Sequence, residues 1–564
     1  MADKDYSQLE KEELVKIIEK LESRKKYGLI WDEERVLEEF EKDAQNALPV
    51  LKEIKTKTLS DKDTSAPTHI LIEGDNYHAL SVLNFTHQGK IDLIYIDPPY
   101  NTGNKSWKYN NSFVEKDDAY LHSKWLSFMG KRLRLAKQLL KPEGSLMCAI
   151  DENEQARLGL LLEEIFPTHE IHCIAIIHNP GGIQGKNFSY NHEYTYFVIP
   201  SRKDPVIGLQ NRTETPDIRP LRDVSTGNHL RENAANCFYP IYVKEGKIIG
   251  FGDVCPDSFH PGSANIERKD GTLEIYPIDP QGNERKWVFA RQTVESIKDE
   301  LAIEFNRQRK IWDVIRTKTH FNYKTVWDDK KFNANIYGTK LLSQIIDIKF
   351  PFPKSLYAVK ECLESVIHSK DAIILDFFAG SGTTAHAVLD LNKDGGKRSF
   401  IMCTNNENNI CEEVTYPRIK NLIKGYTNRL NQEKVTGTGG NLKYFKTSFV
   451  KNSLAKDDLK VRLAKECTEM LCLREGVFDL VSKTEDYEIY QQAEKTLAIY
   501  SSLERNGLKD LKKILDKTPG EKILYCFTLD PLGLSKSDFM GWKDVILEPI
   551  PQKILDVYKQ IYEY

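Results

Sequence analysis

Two short apolar runs restrict this chain more than anything else in it. IDLIYI (91–96) and AIILDFF (372–378) are apolar at nearly every position, without the alternation of a strand that shows one face to water. Such runs suit strands buried on both faces of a parallel sheet, and a parallel sheet needs helical crossovers that cover it. The flanking sequence supplies them. HILIEG precedes the helical DNYHALSVLNFTHQ, which opens at Asp75. IDLIYI precedes a polar loop and the long helix DAYLHSKWLSFMGKRLRLAKQLLK. GSLMCAI precedes NEQARLGLLLEEIF, and IHCIAIIHN and YTYFVIP follow. After an interruption the rhythm returns with SLYAVKECLESVIHS, AIILDFF, TTAHAVLDLNK and SFIMC. The expectation is an α/β fold built on a largely parallel sheet.

At 564 residues the chain exceeds a single core. Residues 1–66 read as a helical N-terminal region: SQLEKEELVKIIEKLESRKK spaces Leu9, Leu14, Ile17, Ile18 and Leu21 on one helical face. Residues 67–200 form the first part of the α/β core. From 201 to 335 Pro, Gly and Asn are frequent and strands look short, which marks an inserted region. Residues 336–432 resume the core, and 433–564 read as a helical, charged C-terminal region. The chain is 40% hydrophobic and 29% charged, as expected of a folded, soluble protein. No signal peptide and no apolar run of the ~20 residues a membrane span needs is read. Ten cysteines without a CxxC pair argue against a disulfide framework or structural zinc and fit a reducing cytosol. A net charge of −3 confines any polyanion-binding surface to a local patch.

Each apolar run ends unusually. IDLIYI runs directly into Asp97, Pro98, Pro99 and Tyr100: a carboxylate, a stiffened backbone and an aromatic ring at one sheet edge. AIILDFF runs into the turn Ala379-Gly380-Ser381-Gly382 and a helix opening at Thr383, where glycines permit a sharp turn and free amides favour an electronegative group. No GxxxxGK[ST] phosphate loop occurs; GGIQGKN at Gly181 comes nearest and lacks both the spacing and the hydroxyl. His192 and Glu193 resemble a metal pair, but no third ligand has suitable spacing, so no metal is inferred. His122 and Trp125 are expected to pack the long helix on the sheet.

Together the two motifs carry a resemblance. DPPY resembles the catalytic motif of S-adenosylmethionine-dependent enzymes that methylate exocyclic amines of DNA, and DFFAGSG resembles their cofactor loop. The order, catalytic motif first, is similar to the β-class, in which the halves of a Rossmann-like sheet are permuted. GDNYHAL, DPPYNTGN, HSKWLSFMGKRL, HEYTYF, FPFPKS and TNNENNICEEVTYPRI extend the likeness to the Mod subunits of Type III restriction-modification systems, over roughly 25–200 and 325–430. This likeness implies a site-specific DNA methyltransferase acting on adenine N6, with cytosine N4 as the neighbouring alternative. Asp97, Pro98, Pro99 and Tyr100 are implied as catalytic. Asp75, Lys354, Asp376, Phe378, Gly380, Ser381, Gly382 and Thr383 are implied around the cofactor, Lys354 facing its carboxylate. The ribose contact stays unassigned among Thr404, Asn405 and Glu407. Residues 201–335 become the target-recognition domain, where Arg285, Trp287, Arg291, Arg309, Lys310 and Arg316 are candidates for DNA contact. The implied partners are double-stranded DNA, a second copy of the chain and a separate restriction subunit, all in the cytoplasm, with the terminal regions making the protein contacts.

Two rival readings remain. Pro256-Asp257 with Glu267-Arg268-Lys269 satisfies a loose PD…ExK nuclease spacing, which would make a combined nuclease and methyltransferase. A non-catalytic DNA-binding scaffold is the other, against which the intact motifs argue.

Overall fold

The structure, a computed structural model, describes residues 47–562 except 64, 103, 110–111, 116–119, 452, 454, 531–532 and 536, together with 11, 14, 15 and 31. The amphipathic helix expected over 7–26 lies outside the described residues apart from 11, 14 and 15. The chain divides into two compact units, Met1–Ile207 with Lys324–Tyr564, and Gly208–Tyr323.

In the larger unit a ten-stranded sheet carries the motifs. Its strands are β1 (Ala47–Glu53), β2 (Thr68–Glu73), β3 (Ile91–Ile96), β4 (Leu140–Ile150), β5 (His169–Ile176), β6 (Glu193–Pro200), β7 (Val326–Trp327), β8 (Ile373–Asp376), β9 (Ser399–Thr404) and β10 (Asn441–Lys451). They lie side by side in the order β1-β10-β2-β9-β8-β3-β4-β6-β5-β7. Strands β10, β2, β9, β8, β3 and β4 are parallel, whereas β1 and β6 run against their neighbours. As the apolar runs require, Ile91, Leu93, Ile94 and Ile96 of β3 and Ile374 and Leu375 of β8 are fully buried. The crossovers include α1 (Asn76–Thr86), α2 (Leu121–Leu139), α3 (Gln155–Ile165), α4 (Leu356–Val366), α5 (Thr383–Leu391) and α6 (Tyr416–Lys424).

Helix α1 is buried on every side, because α2 and two helices from the C-terminal region, Thr468–Glu475 and Gln552–Tyr562, all pack on it. That packing corrects the expected division of the chain. The residues before 66 contribute strand β1, and 433–564 is not a helical region: β10 is an inner strand of the core sheet. A second sheet of five strands follows, from Asp479–Lys483, Tyr487–Gln492, Lys495–Tyr500, Glu521–Phe527 and Ile546–Ile550. Both of its faces are covered: Leu497, Ile499 and Tyr525 join the apolar cluster of the core sheet, and Ile489 and Leu524 join a separate cluster with Leu508, Leu511 and Leu515.

The smaller unit holds a four-stranded sheet (Ile241–Lys244, Lys247–Phe251, Asn265–Glu267, Leu273–Ile275) and a three-stranded one (Asp217–Pro220, Leu301–Asn306, Ile311–Lys318). Its core gathers around Trp287, Tyr239, Ile241 and Val314. Its limits fall inside 201–335 because residues 324–327 belong to the larger unit, where β7 pairs with β5.

Candidate active site

Strands β3 and β8 are adjacent and parallel, with Leu93 opposite Ile374 and Ile94 opposite Leu375. Their carboxyl ends therefore deliver Asp97 and Asp376 to one edge. From β8 the chain crosses through α5 to β9 on one side; from β3 it crosses through α2 to β4 on the other. Neighbouring connections that depart in opposite directions leave a crevice between them, the place where open α/β sheets bind ligands. The two stretches that most constrained the sequence meet there.

On the β3 side four polar side chains converge. The Lys354 ammonium lies 3.3 Å from Asp97 Oδ1 and pairs closely with Glu193 Oε2. It also donates to the Tyr100 hydroxyl and sits 4.6 Å from the centre of that ring. The Tyr100 hydroxyl donates to Glu193 Oε2 at 3.2 Å. Burial pushes the Asp97 carboxyl above the usual carboxylate range; the Lys354 charge pulls it back, and Glu193 adds to the rise. Burial alone would raise Glu193 as well, but Lys354 outweighs it and holds that carboxyl low. Lys354 loses solvation too, yet the two carboxylates keep its pKa above the ordinary lysine value. Asp97 remains 28% exposed, so a ligand can reach it. Trp125, fully buried on α2, donates its indole N–H to the Pro99 carbonyl at 2.7 Å and fixes the Pro-Pro bend. His122 Nδ1 lies 2.6 Å from Glu154 Oε1.

On the β8 side the glycine turn is braced from beneath. Gly380 and Gly382 have φ of +47° and +76°, a left-handed backbone that L side chains rarely adopt. Asp376 is buried and spends both oxygens internally, accepting from Phe378 N at 2.9 Å and from the Thr384 hydroxyl at 2.6 Å. Burial pushes its carboxyl up to about 7. Arg418 of α6, fully buried, donates to the Ser381 carbonyl at 3.1 Å, the Ser381 hydroxyl at 3.2 Å and the Thr383 hydroxyl at 3.0 Å. The Thr415 hydroxyl donates to the Gly380 carbonyl at 2.6 Å. Phe378 is half-buried with its ring 5.9 Å from that of Phe128.

A family described as DNA methylase matches residues 91–415, more than half of the chain and both motifs. The chain belongs to this DNA methylase family. It is 31% identical over 372 residues to the Type II methyltransferase M.KpnI of Klebsiella pneumoniae, an alignment covering 62% of this chain and 83% of that one. It is 29% identical over 414 residues to the Type III restriction-modification enzyme EcoPI Mod subunit of Escherichia phage P1, covering 64% and 60% respectively. The chain thus spans about three fifths of that Mod subunit's length. Among solved structures, an M1.HpyAVI–SAM complex is 12% identical, with a TM-score of 0.29 over 63% of this chain and 98% of that one, a likeness too slight to support any detail.

The residues of the crevice suit the S-adenosylmethionine of DNA methylases. The left-handed glycines leave the turn backbone without side chains, and the Asp75 carboxylate, 42% exposed, stands at the end of β2. Asp75 also caps α1, accepting from Tyr77 N at 2.8 Å. The Asp376 carboxylate and the Ser381 and Thr383 hydroxyls are engaged within the turn and its supports. Lys354 faces Asp97 and Glu193. Sequence reading missed Arg418, and it set Glu193 aside with His192 once a metal pair was rejected, without giving it another role.

In the smaller unit the DNA-contact candidates separate. Trp287 is fully buried and donates to the Tyr239 carbonyl at 2.8 Å, so the expectation that it presents a flat face is corrected: it is the core of its unit. Arg285 pairs with Asp279, Arg291 with Glu295 and Arg316 with Glu300. Arg309 and Lys310 are exposed at the turn between Leu301–Asn306 and Ile311–Lys318. Of the nuclease spacing, Asp257 lies in an exposed turn and Glu267 is exposed on a short strand. Among the described residues no three His, Cys, Asp or Glu side chains gather as a metal site, nor is any helix long and apolar enough to cross a membrane.

Proposed function

We propose that this DNA methylase transfers a methyl group from S-adenosylmethionine to adenine N6 within a short specific duplex site, as the modification and recognition subunit of a Type III restriction-modification system. The observation that carries the reading is the meeting of DPPY and the glycine turn at the carboxyl ends of adjacent parallel strands. The order of those strands supports the permuted, β-class arrangement: β8 lies between β9 and β3 although β3 comes first in the chain.

The exocyclic nitrogen of adenine is a poor nucleophile because its lone pair is delocalised into the ring. Two acceptors that take its N–H bonds favour the tetrahedral nitrogen and the positive charge that develops on it. Asp97 supplies one and the Pro98 carbonyl the other, at a bend fixed by Trp125. Lys354 opposes the rise that burial imposes on the Asp97 carboxyl and so favours its accepting form. S-adenosylmethionine, when bound, supplies the electrophilic methyl. Transfer of that methyl to N6 would leave a neutral thioether behind, and the proton that N6 then gives up would pass to the Asp97 carboxylate and on to water. Because N6 is out of reach in the stack, the adenine is extruded toward Tyr100. The smaller unit serves as the target-recognition domain, with Arg309 and Lys310 among its exposed cations. The terminal regions make contacts with a second copy and with a restriction subunit in the cytoplasm.

Methyl transfer from labelled S-adenosylmethionine to unmethylated genomic DNA, followed by nucleoside mass analysis, tests this. N6-methyladenine made by the wild type and abolished in Asp97→Ala is expected. N4-methylcytosine would overturn the base assignment and leave the chemistry standing. The likeness to M.KpnI favours one second reading, a methyltransferase that works without a restriction subunit. Capture of a helicase-nuclease partner from the native host by the tagged chain decides against it.

A further inference from the structure

The segment between β5 and β6 plays no part in the chemistry above. Ile176, the last residue of β5, is paired with Glu193, the first of β6, and Tyr194 is paired with Ile150 at the end of β4. The connection therefore leaves the sheet at the edge that carries Asp97. Within it Ile183 pairs with Tyr190 and Gln184 with Ser189, closing a small ribbon. Glycines make it tight: a Cβ at Gly182 would meet that of Ser189 at 2.9 Å, and one at Gly185 would meet the Phe188 carbonyl at 2.4 Å. The ribbon has no core of its own. Phe188 is 77% exposed, Ile183 58% and Tyr190 44%. Between Asn179 and His192 there is one lysine, Lys186, and no acidic residue, in a chain that carries 83 of them.

An apolar tip without acids, rooted on Glu193 and hence on Lys354 and Tyr100, fits one occupant: the duplex at the point where the target base leaves it. Extrusion costs the stacking of one base and opens a gap in the helix. Apolar side chains that enter base steps are a recurrent way of filling such openings. Phe188 lies five residues from Glu193, at most about 17 Å along an extended strand. That is within reach of the stack from which an adenine swings toward Asp97.

We propose that the 179–192 ribbon is a wedge for double-stranded DNA, in which Phe188 occupies the space vacated by the extruded adenine and Lys186 meets the adjoining phosphate. This rests on the base-extruding methyltransferase reading, and its test separates the two. Once the modified position has been mapped in genomic DNA, a synthetic duplex carrying that site is offered in two forms. In one the target adenine is paired with thymine; in the other it faces an abasic residue and is already half released. Phe188→Ala is expected to lose on the order of tenfold in kcat/KM on the paired duplex, a small share of the few kcal/mol of unstacking. It is expected to recover on the abasic form, and Phe188→Trp to retain activity on both. Equal loss on both forms, or no loss on either, with S-adenosylmethionine binding unchanged, would overturn the wedge while leaving the methyltransferase reading in place. A genomic-DNA assay in which the wild type modifies no base overturns that reading and the wedge with it.

Discussion

The side chain that sets the behaviour of this site is Lys354. It stands between two carboxylates and opposes the effect of burial on Asp97, favouring the form that accepts from an amine. Burial raises the Asp97 pKa and the Lys354 charge lowers it, so Lys354→Met removes the chief influence that opposes burial. The Asp97 pKa then rises further, and the acidic limb of the kcat/KM profile is expected to move to higher pH, with activity regained as pH increases. A profile measured across that limb checks this; a limb that stays in place, with activity lower at every pH, would assign Lys354 to cofactor binding instead. DPPY was legible in the sequence because its residue types are rare together at a strand end. Glu193 was not, because its meaning comes from Lys354, which lies far away in the chain and meets it only in the folded sheet. Trp287 shows the converse error: an aromatic within a basic stretch reads as a DNA-stacking face, yet it had the apolar area to become a core.

Among the elements, the parallel strands were readable from their two-sided apolar character, and α1 from its spacing and its Asp75 cap. Strand β1 and the C-terminal sheet were not, because their apolar runs are short and set among charged residues, and a short apolar run does not distinguish a strand from a buried helix segment. The glycine turn depends on an element in the same way. Helix α6 projects Arg418 under the turn, where it stays protonated at neutral pH although burial lowers its pKa to about 9. Its three hydrogen bonds to Ser381 and Thr383 are what hold the backbone beside the two left-handed glycines. Arg418→Met leaves the Ser381 carbonyl without this donor and the Ser381 and Thr383 hydroxyls with only each other, 3.1 Å apart, at a cost of about 2 kcal/mol. A lowered urea midpoint is expected, with S-adenosylmethionine affinity reduced by about tenfold or more. Arg418→Lys is expected to recover part of both, because all three bonds come from the single nitrogen Nη1 and an ammonium offers three donors from one atom, while the contact of Nη2 with His386 is lost. Calorimetric titration of the folded variants reads the affinity, and unaltered binding would show that the turn holds its form without the arginine.

For the molecule as a whole, the proposed division of chemistry from recognition follows the boundaries at 207/208 and 323/324. Every residue of the catalytic cluster and of the glycine turn belongs to the larger unit, whereas Arg309 and Lys310 belong to the smaller. The smaller unit begins and ends on paired strands, with Leu209 opposite Asn322, so its two ends lie about 5 Å apart. A gap that short is closed by a few Gly and Ser residues at little entropic cost. Replacing 208–323 with such a linker is therefore expected to leave the ten-stranded sheet folded and S-adenosylmethionine affinity within about twofold of the full chain. Methylation of genomic DNA is expected to vanish, since the exposed cations that would contact phosphate have gone. Titration of the cofactor together with labelled-methyl transfer checks both expectations on one preparation. Loss of cofactor binding would mean that the larger unit needs the smaller in order to fold. Retained methylation at the same mapped sites would move recognition out of the insert and into the larger unit, where the exposed 179–192 ribbon is the nearest surface able to take it.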